Sequence, residues 1–536
     1  MVPTPNRFPS CGGKSPVDDA SGERIVISGM SGIYPESHSV KDLSDILYDK
    51  INPITNDKTR WEFEHPEVSQ YVGKVPGLDL FDAQFFKIHY RLCNNTDPMA
   101  RKMMEQAYQA IYDAGVCLND LFGKKVGIFV GNSVSETDKI HIYFQGDRTG
   151  TGIPGCSKSM FANRISYWLN AKGPSLAIDS GSCSSIQALE QACLAIKRGD
   201  CEAAIVGGSN LCLHPQSSIH HGRIIKLNSE GKTKSFDTEA AGCVLSEAVN
   251  VMFLQKAKDA IRVYAEVVHV KSRYTSDPQD ETKDQKFHFY RDAEKMSNFI
   301  KSFYEEIQIP PQAVEYVEAF GSAEPNTDKA ELEAIEKVFC NNRNNPLLVG
   351  SVMSNIGYTE SASGICSITK VLLGYHKGLL AGNLNCDSPR NDIAALRDGR
   401  MRILTDHQSF DRSYTAVNGL SISGINAHVL LNGHYKAKDT TRYKTKIPHL
   451  VLVSGRQESS VQKILEDLKS RSVDPEEIAL LHNIHKTRLS GHLGRGFTLL
   501  NLPQHSDDWG CKGEDSTAKT YLEVIGLWGW SAQTFY

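Results

Sequence analysis

No run of about 18 uninterrupted apolar residues occurs in the 536-residue sequence, so it offers no membrane-spanning helix. A basic excess is missing too. Lys plus Arg number 59 against 63 Asp plus Glu, a net charge of −4, which argues against nucleic acid or an anionic membrane surface as partner. Cys-x-x-Cys pairs are absent. The 13 cysteines are scattered and odd in number, suggesting neither a zinc cluster nor a disulfide framework. They read as small core residues of a reduced, cytoplasmic protein. His220 and His221 are adjacent, lack the helical spacing of metal ligands and read as surface or loop residues. Residues 1–24 have no apolar core and read as a flexible leader rather than a secretory signal. No repeat and no low-complexity tract is found.

What is present is ample for a folded core: 40% of residues are apolar and 23% charged. The length allows one large domain or several ordinary ones. From Ile25 the pattern alternates between strand and helix. Strands are expected at Ile25–Ile27, Val126–Val130, Ser175–Ile178 and Ala203–Val206, the last closed by Gly207-Gly208. Two more are expected around Val244–Leu254 and Arg262–Val270. A helix over Asp97–Ala114 carries Met99, Met103, Met104, Ala107, Ala110 and Ile111 at helical spacing, with Gly115 to stop it. The alternation then restarts. Helices are read at Asp292–Ile307, Asp328–Phe339 and Ser361–Leu373, and strands at Val314–Val317, Leu347–Val349 and Ala427–Leu431. Such alternation implies a layered α/β fold with buried sheets. Composition changes near Tyr435. Lys436–Lys446 is basic and polar, followed by a strand at His449–Val453 and an amphipathic helix at Ser459–Ser470. The last 36 residues contain Trp509, Trp528 and Trp530, three of the five tryptophans, without clear periodicity.

The segment Leu176–Leu189 is the most informative. Its strand enters a turn of small residues, Asp179-Ser180-Gly181-Ser182-Cys183-Ser184-Ser185, and then a helix with Ile186, Leu189, Ala192, Cys193 and Ile196 on one face. A side chain there sits at a helix N-terminus, where backbone N–H groups and the dipole stabilise a thiolate or an oxyanion. The same turn also reads as a serine-capped turn without chemistry. Other segments bear on the choice. Met160-Phe161-Ala162-Asn163-Arg164-Ile165-Ser166-Tyr167 with Lys172-Gly173-Pro174-Ser175, Lys234-Ser235-Phe236-Asp237, Val317-Glu318-Ala319, Ser354-Asn355-Ile356-Gly357 and Gly424-Ile425-Asn426-Ala427-His428-Val429 follow one another in order.

Together these motifs resemble the signatures of β-ketoacyl synthases, in the family's order and at about its spacing. The nearest likeness is to ketosynthase domains of animal-type fatty acid synthases, insect ones in particular. It covers roughly Glu23 to Leu431 and extends through Ile447–Leu500, which resembles the region linking ketosynthase to acyltransferase. The resemblance implies a thiolase fold: two similar βαβαβαββ halves in a five-layered α-β-α-β-α arrangement. The expected layout is a leader (1–24), a ketosynthase-like domain (25–432), a linker region (433–500) and an unassigned tail (501–536). The implied reaction is decarboxylative condensation of acyl and malonyl thioesters in fatty acid biosynthesis. No cofactor would be bound directly, the substrates being carried on phosphopantetheine of an acyl carrier protein or on CoA. The implied partners are a second copy, forming a homodimer, and a carrier protein or other synthase subunits.

The residues depart from that family at four positions. In the family a Cys takes the acyl chain, two His act on the malonyl group, and a Lys supports them. Aligned without gaps, the Cys position is Ser182, the first His is Phe320, the second His is Tyr358 and the Lys is Met353. Cys183 comes one residue late, about 100° of rotation on a helix. A serine hydroxyl needs a base. Phe320 offers neither donor nor acceptor, and a tyrosine is a poor base at neutral pH. Losing even one strong transition-state donor costs about 3–4 kcal/mol. The hairpin Asn418–Gly424 lacks the usual aromatic residues and two glycines of the family's acyl gate. His428 stands on its own family position and reads as a structural hydrogen-bonding group. Three readings stay open: a degenerate, condensation-deficient ketosynthase region, an active acyl-transferring enzyme using Cys183, and a fragment of a larger synthase.

Overall fold

The computed structural model describes residues 23–500 except 63–64, 144–149, 276–287, 344, 412, 434–447, 472, 474, 488 and 490–491. The leader up to residue 22, the basic stretch Lys436–Lys446 and the tail 501–536 lie outside the described residues.

Eleven strands share the main sheet. In chain order they are β1 (Ile25–Ile33), β2 (Val126–Asn132), β3 (Ser175–Ile178), β4 (Ala203–Asn210), β5 (Ala248–Lys256), β6 (Ala265–Tyr274), β7 (Val314–Glu318), β8 (Leu347–Gly350), β9 (Met401–Ile403), β10 (Tyr414–Leu420) and β11 (Ile425–Gly433). Their spatial order is β9-β8-β7-β10-β11-β6-β1-β5-β4-β2-β3. Read outward from the middle, each half repeats one plan: its first strand, its last, the one before, its second and its third. Thus β1-β5-β4-β2-β3 is mirrored by β6-β11-β10-β7-β8, with β9 added at the edge. In both halves the outer strands run parallel and the inner ones antiparallel. The halves touch through a narrow seam, Val26 opposite Glu266 and Ile27 opposite Ala265.

Six helices complete the layers: α1 (Pro98–Asp113), α2 (Ser159–Leu169), α3 (Ser184–Arg198), α4 (Ala293–Ile307), α5 (Pro325–Phe339) and α6 (Ser363–Lys377). One apolar core joins α1 and α2 to the first half through Met103, Ile111, Phe161 and Ile165. A second joins α4 and α5 to the other half through Phe299, Phe303, Leu332 and Ile335. Between the halves lie α3 and α6, whose Ile186, Leu189, Ile365 and Ile368 belong to the third core. This is the thiolase fold, with its middle layer recorded in the sequence of α6, where every residue from Ser363 to Tyr375 is buried.

Local chemistry explains the boundaries. Asp97 caps α1 by accepting from Met99 N–H at 2.7 Å, and Pro98 opens the helix where its missing N–H is harmless. Gly115, at φ +69°, stops it. Pro325 likewise opens α5, a turn earlier than Asp328, although no side chain caps its first turn. The expected end of β4 at Gly207-Gly208 is wrong: the strand runs through both glycines to Asn210. A Cβ at Gly207 would stand 2.5 Å from Met103 Sδ, and one at Gly208 2.9 Å from Ala362 Cα. These glycines thin the sheet where layers press on both faces. The strand expected at Val244–Leu254 begins later, at Ala248. His220 and His221 lie on a helix, Pro215–Gly222, where His220 is exposed at the surface.

After residue 447, β12 (His449–Gly455) and β13 (Gly494–Leu500) form a two-stranded antiparallel sheet. One face packs on α7 (Glu458–Ser470) and α8 (Pro475–Ile484), with Val451, Val453, Val461, Leu465 and Leu481 in a separate small core. Among the described residues, no helix is long and apolar enough to cross a membrane.

Candidate functional site

The turn before α3 is closed from below and above. Ser184 Oγ accepts from Ser180 N–H at 2.9 Å and donates to Gly181 O at 2.6 Å. Gly181 adopts φ +61°, and a Cβ there would lie 2.6 Å from Ser421 Oγ, on the hairpin between β10 and β11. Only glycine fits under that hairpin. Ser182 is buried. Its Oγ donates to Leu420 O at 2.7 Å, and the Tyr358 side chain lies close enough to interact with it. Cys183 occupies the N-cap of α3 and is wholly buried. Its Sγ stands 3.6 Å from Ile425 O, in the core between the halves with Ile186, Val417 and Ala427. Burial pushes its thiol up to about 12, so the thiolate is strongly disfavoured there.

Ser182, Phe320 and Tyr358 do come together. Phe320 follows β7 and is buried against Phe289, their ring centres 4.9 Å apart. Tyr358 meets Phe289 edge-on at 5.4 Å and Phe320 at 6.3 Å. Met353 opens a one-turn helix and belongs to the same apolar core as these three rings. The Tyr358 phenol is held well above its ordinary pKa by desolvation. Cys183 belongs to a different core from Phe320, Tyr358 and Met353.

Carboxylates on α5 hold the Phe320 loop. Glu331 accepts from the N–H groups of Phe320 at 2.9 Å and Gly321 at 3.0 Å. Asp328 accepts from Phe236 N–H at 2.9 Å and from Ser322 Oγ at 3.0 Å. Burial raises both carboxyls, Asp328 to about 7. Asn418 donates to Glu331 at 3.0 Å and stands 2.8 Å from His428 Nδ1. The other nitrogen of His428 lies 3.2 Å from the Tyr304 hydroxyl. Burial lowers this imidazole to about 3, so it stays neutral and acts as a tie between strand and helix. His221 is largely buried, with Nδ1 2.8 Å from Ser217 O and Nε2 3.9 Å from Glu360.

Two participants escape the sequence reading. Phe289 supplies the third ring, and Arg291 latches the hairpin. The buried guanidinium of Arg291 donates to His288 O at 2.9 Å, to Tyr290 O at 2.7 Å and to Ser421 O. Neither residue lies in a recognisable motif. The only signal nearby is Asp292, which marks the start of α4. Chemically, the site offers one hydroxyl already donating to a carbonyl, one phenol and three apolar walls. Among the described residues, no His, Cys, Asp or Glu group is placed to hold a metal ion.

Three family descriptions match the chain in tandem: beta-ketoacyl synthase, N-terminal domain, over residues 22–260; its C-terminal domain over 276–387; and the ketoacyl-synthetase C-terminal extension over 389–499. A fatty acid synthase from Anser anser anser is 36% identical over 357 residues, which are 67% of this chain and 100% of that one. The highly reducing polyketide synthase AFT9-1 of Alternaria alternata is 29% identical over 80% of this chain but only 14% of its own length. Polyketide synthase PksL of Bacillus subtilis is 28% identical over 83% of this chain and 10% of its own. The chain therefore spans a small part of those two polyketide synthases. Among solved structures, the ketosynthase from module 6 of the bacillaene synthase of Bacillus subtilis 168 superposes with TM-score 0.76 at 25% identity, covering 89% of this chain and 82% of that one. The Streptomyces albus oxazolomycin ketosynthase domain OzmH KS7 does so with TM-score 0.78 at 23% identity, covering 90% and 86%, a likeness of fold.

Proposed function

This chain belongs to the β-ketoacyl synthase family of fatty acid and polyketide synthases, and from that premise we propose that it is a condensation-deficient ketosynthase region of a cytoplasmic fatty acid synthase-like protein. The observation that carries this reading is the cluster of Phe320, Phe289 and Tyr358 beside Ser182. Condensation in the family needs a thiolate to hold the acyl chain and two imidazoles facing the malonyl group. Here the hydroxyl of Ser182 is engaged with Leu420 O and has no imidazole to take its proton. Phe320 cannot stabilise developing charge. Met353 brings no cation. Such losses do not add, but together they remove the nucleophile, the base and the charge-stabilising donors at once.

What the chain retains is a scaffold. The ketosynthase-like body (25–432) and the linker-like module (433–500) would keep the family's contacts with a carrier protein whose phosphopantetheine bears the acyl group. No cofactor is bound directly in this reading. A homodimer is supported by the edge strand β3, where Leu176 and Ala177 are exposed and, among the described residues, no neighbour pairs on the outer side. A second reading, that the sequence is part of a larger synthase, is favoured by the small share of the polyketide synthase relatives that it spans.

The test is intact-protein mass spectrometry after incubation with acyl-CoA and with acyl carrier protein, comparing wild type, Ser182→Ala and Cys183→Ala. No acyl adduct on folded, dimeric protein is the expected result. An adduct abolished only by Cys183→Ala would overturn the proposal in favour of a transferase that uses that thiol.

A further inference from the structure

Among the described residues, the small sheet of β12 and β13 is covered on one face only. Its inner face, with Val451, Val453 and Thr498, is buried by α7 and α8. Its outer face is apolar. Leu450 lies opposite Leu499 and Leu452 opposite Phe497, so the strand alternation places all four on one side. Leu450 and Leu452 are each 48% exposed, and the two residues opposite them are half-buried. Paired leucines and a phenylalanine on an uncovered sheet face form a contiguous patch that water disfavours, unlike a lone exposed leucine.

The chain itself supplies a cover. It leaves β13 at Leu500 and continues for 36 more residues. The first part, 501–520, is polar and carries Asp507, Asp508, Glu514 and Asp515. The next part, Tyr521-Leu522-Glu523-Val524-Ile525-Gly526-Leu527-Trp528-Gly529-Trp530, has a single charge among ten residues. We propose that Tyr521–Trp530 docks on the outer face of the β12–β13 sheet, its aromatic and aliphatic side chains covering Leu450, Leu452, Phe497 and Leu499. A random-coil chain of 20 residues spans on the order of 25 Å. A seven-residue strand is about 23 Å long. The segment is therefore tethered at a distance matched to the face, and its effective concentration there is high. Trp528 and Trp530 supply large apolar area at little cost in side-chain entropy.

The experiment uses the full chain with 5-fluorotryptophan in place of tryptophan, read by fluorine NMR and assigned by single Trp→Phe replacements. Docking predicts that the Trp528 and Trp530 resonances stand away from the position of a free peptide of residues 521–530. In the variant Leu450→Ser/Leu452→Ser they should collapse to it, while Trp61 and Trp168 stay in place as the control for folding. A gentler variant, Leu452→Thr, should shift them part of the way. Free-peptide positions in the wild type would overturn the proposal. So would resonances indifferent to both variants, which would place the segment elsewhere, or ones that collapse on dilution, which would assign it to a second copy.

Discussion

Cys183 shows how far one position separates a nucleophile from a packing residue. Ser182 faces Tyr358, and the next side chain is enclosed among Ile186, Val417 and Ala427. With its thiol raised to about 12 and its surface hidden, Cys183 should resist iodoacetamide at pH 8 in the native protein and react readily in denaturant. Peptide masses after labelling would show this, and rapid native labelling would contradict it. Asp328 makes a second case. Its folded-state pKa of about 7 lies above its unfolded value, so the folded state holds the proton more tightly. The corresponding stability is fully present below the unfolded pKa of about 4 and is lost as pH rises through 7. Asp328→Asn keeps an acceptor for Phe236 N–H and cannot ionise. Between pH 4 and 7 the melting temperature of the variant should therefore gain steadily on that of the wild type. A constant difference across that range would show that Asp328 does not titrate there.

Caps and periodicity made many helices readable. Asp292 accepts from the N–H groups of Glu294 and Lys295, both at 3.0 Å, and fixes the start of α4 where the sequence placed it. Asp292→Ala should cost about 1 kcal/mol in denaturant unfolding, because two N–H groups lose their acceptor. Strand β3 was equally legible, bounded by Pro174 and the small-residue turn. Signals that depend on distant neighbours were not. Gly207-Gly208 looks like a stop, yet it is the place where Met103 and Ala362 approach the sheet from opposite sides. Neither α8 nor β13 stood out, because their apolar residues acquire meaning only when they meet the core built by β12 and α7. For the site, ordered motifs placed Ser182, Phe320, Met353 and Tyr358. They could not find Phe289 or Arg291, whose roles arise from a stretch of chain without any local pattern folding back over the turn.

The sheet's two ends behave differently from its middle. At one end β3 leaves Leu176 and Ala177 open, and Tyr167 on α2 is 83% exposed nearby. If two copies join edge to edge there, Leu176→Lys should shift the sedimenting species from dimer to monomer, since a charge on an open strand opposes pairing. An unchanged dimer would place the interface elsewhere. In the middle, α6 has buried residues from Ser363 to Tyr375 and draws its cover from both halves. A nascent chain thus carries this buried helix more than two-thirds of the way along, after the strands of the first half have been made. Until β10 and β11 arrive, that first half has an open flank. Synthesis halted in between would leave the apolar flank of the first half open to water, the kind of surface on which partly folded chains aggregate.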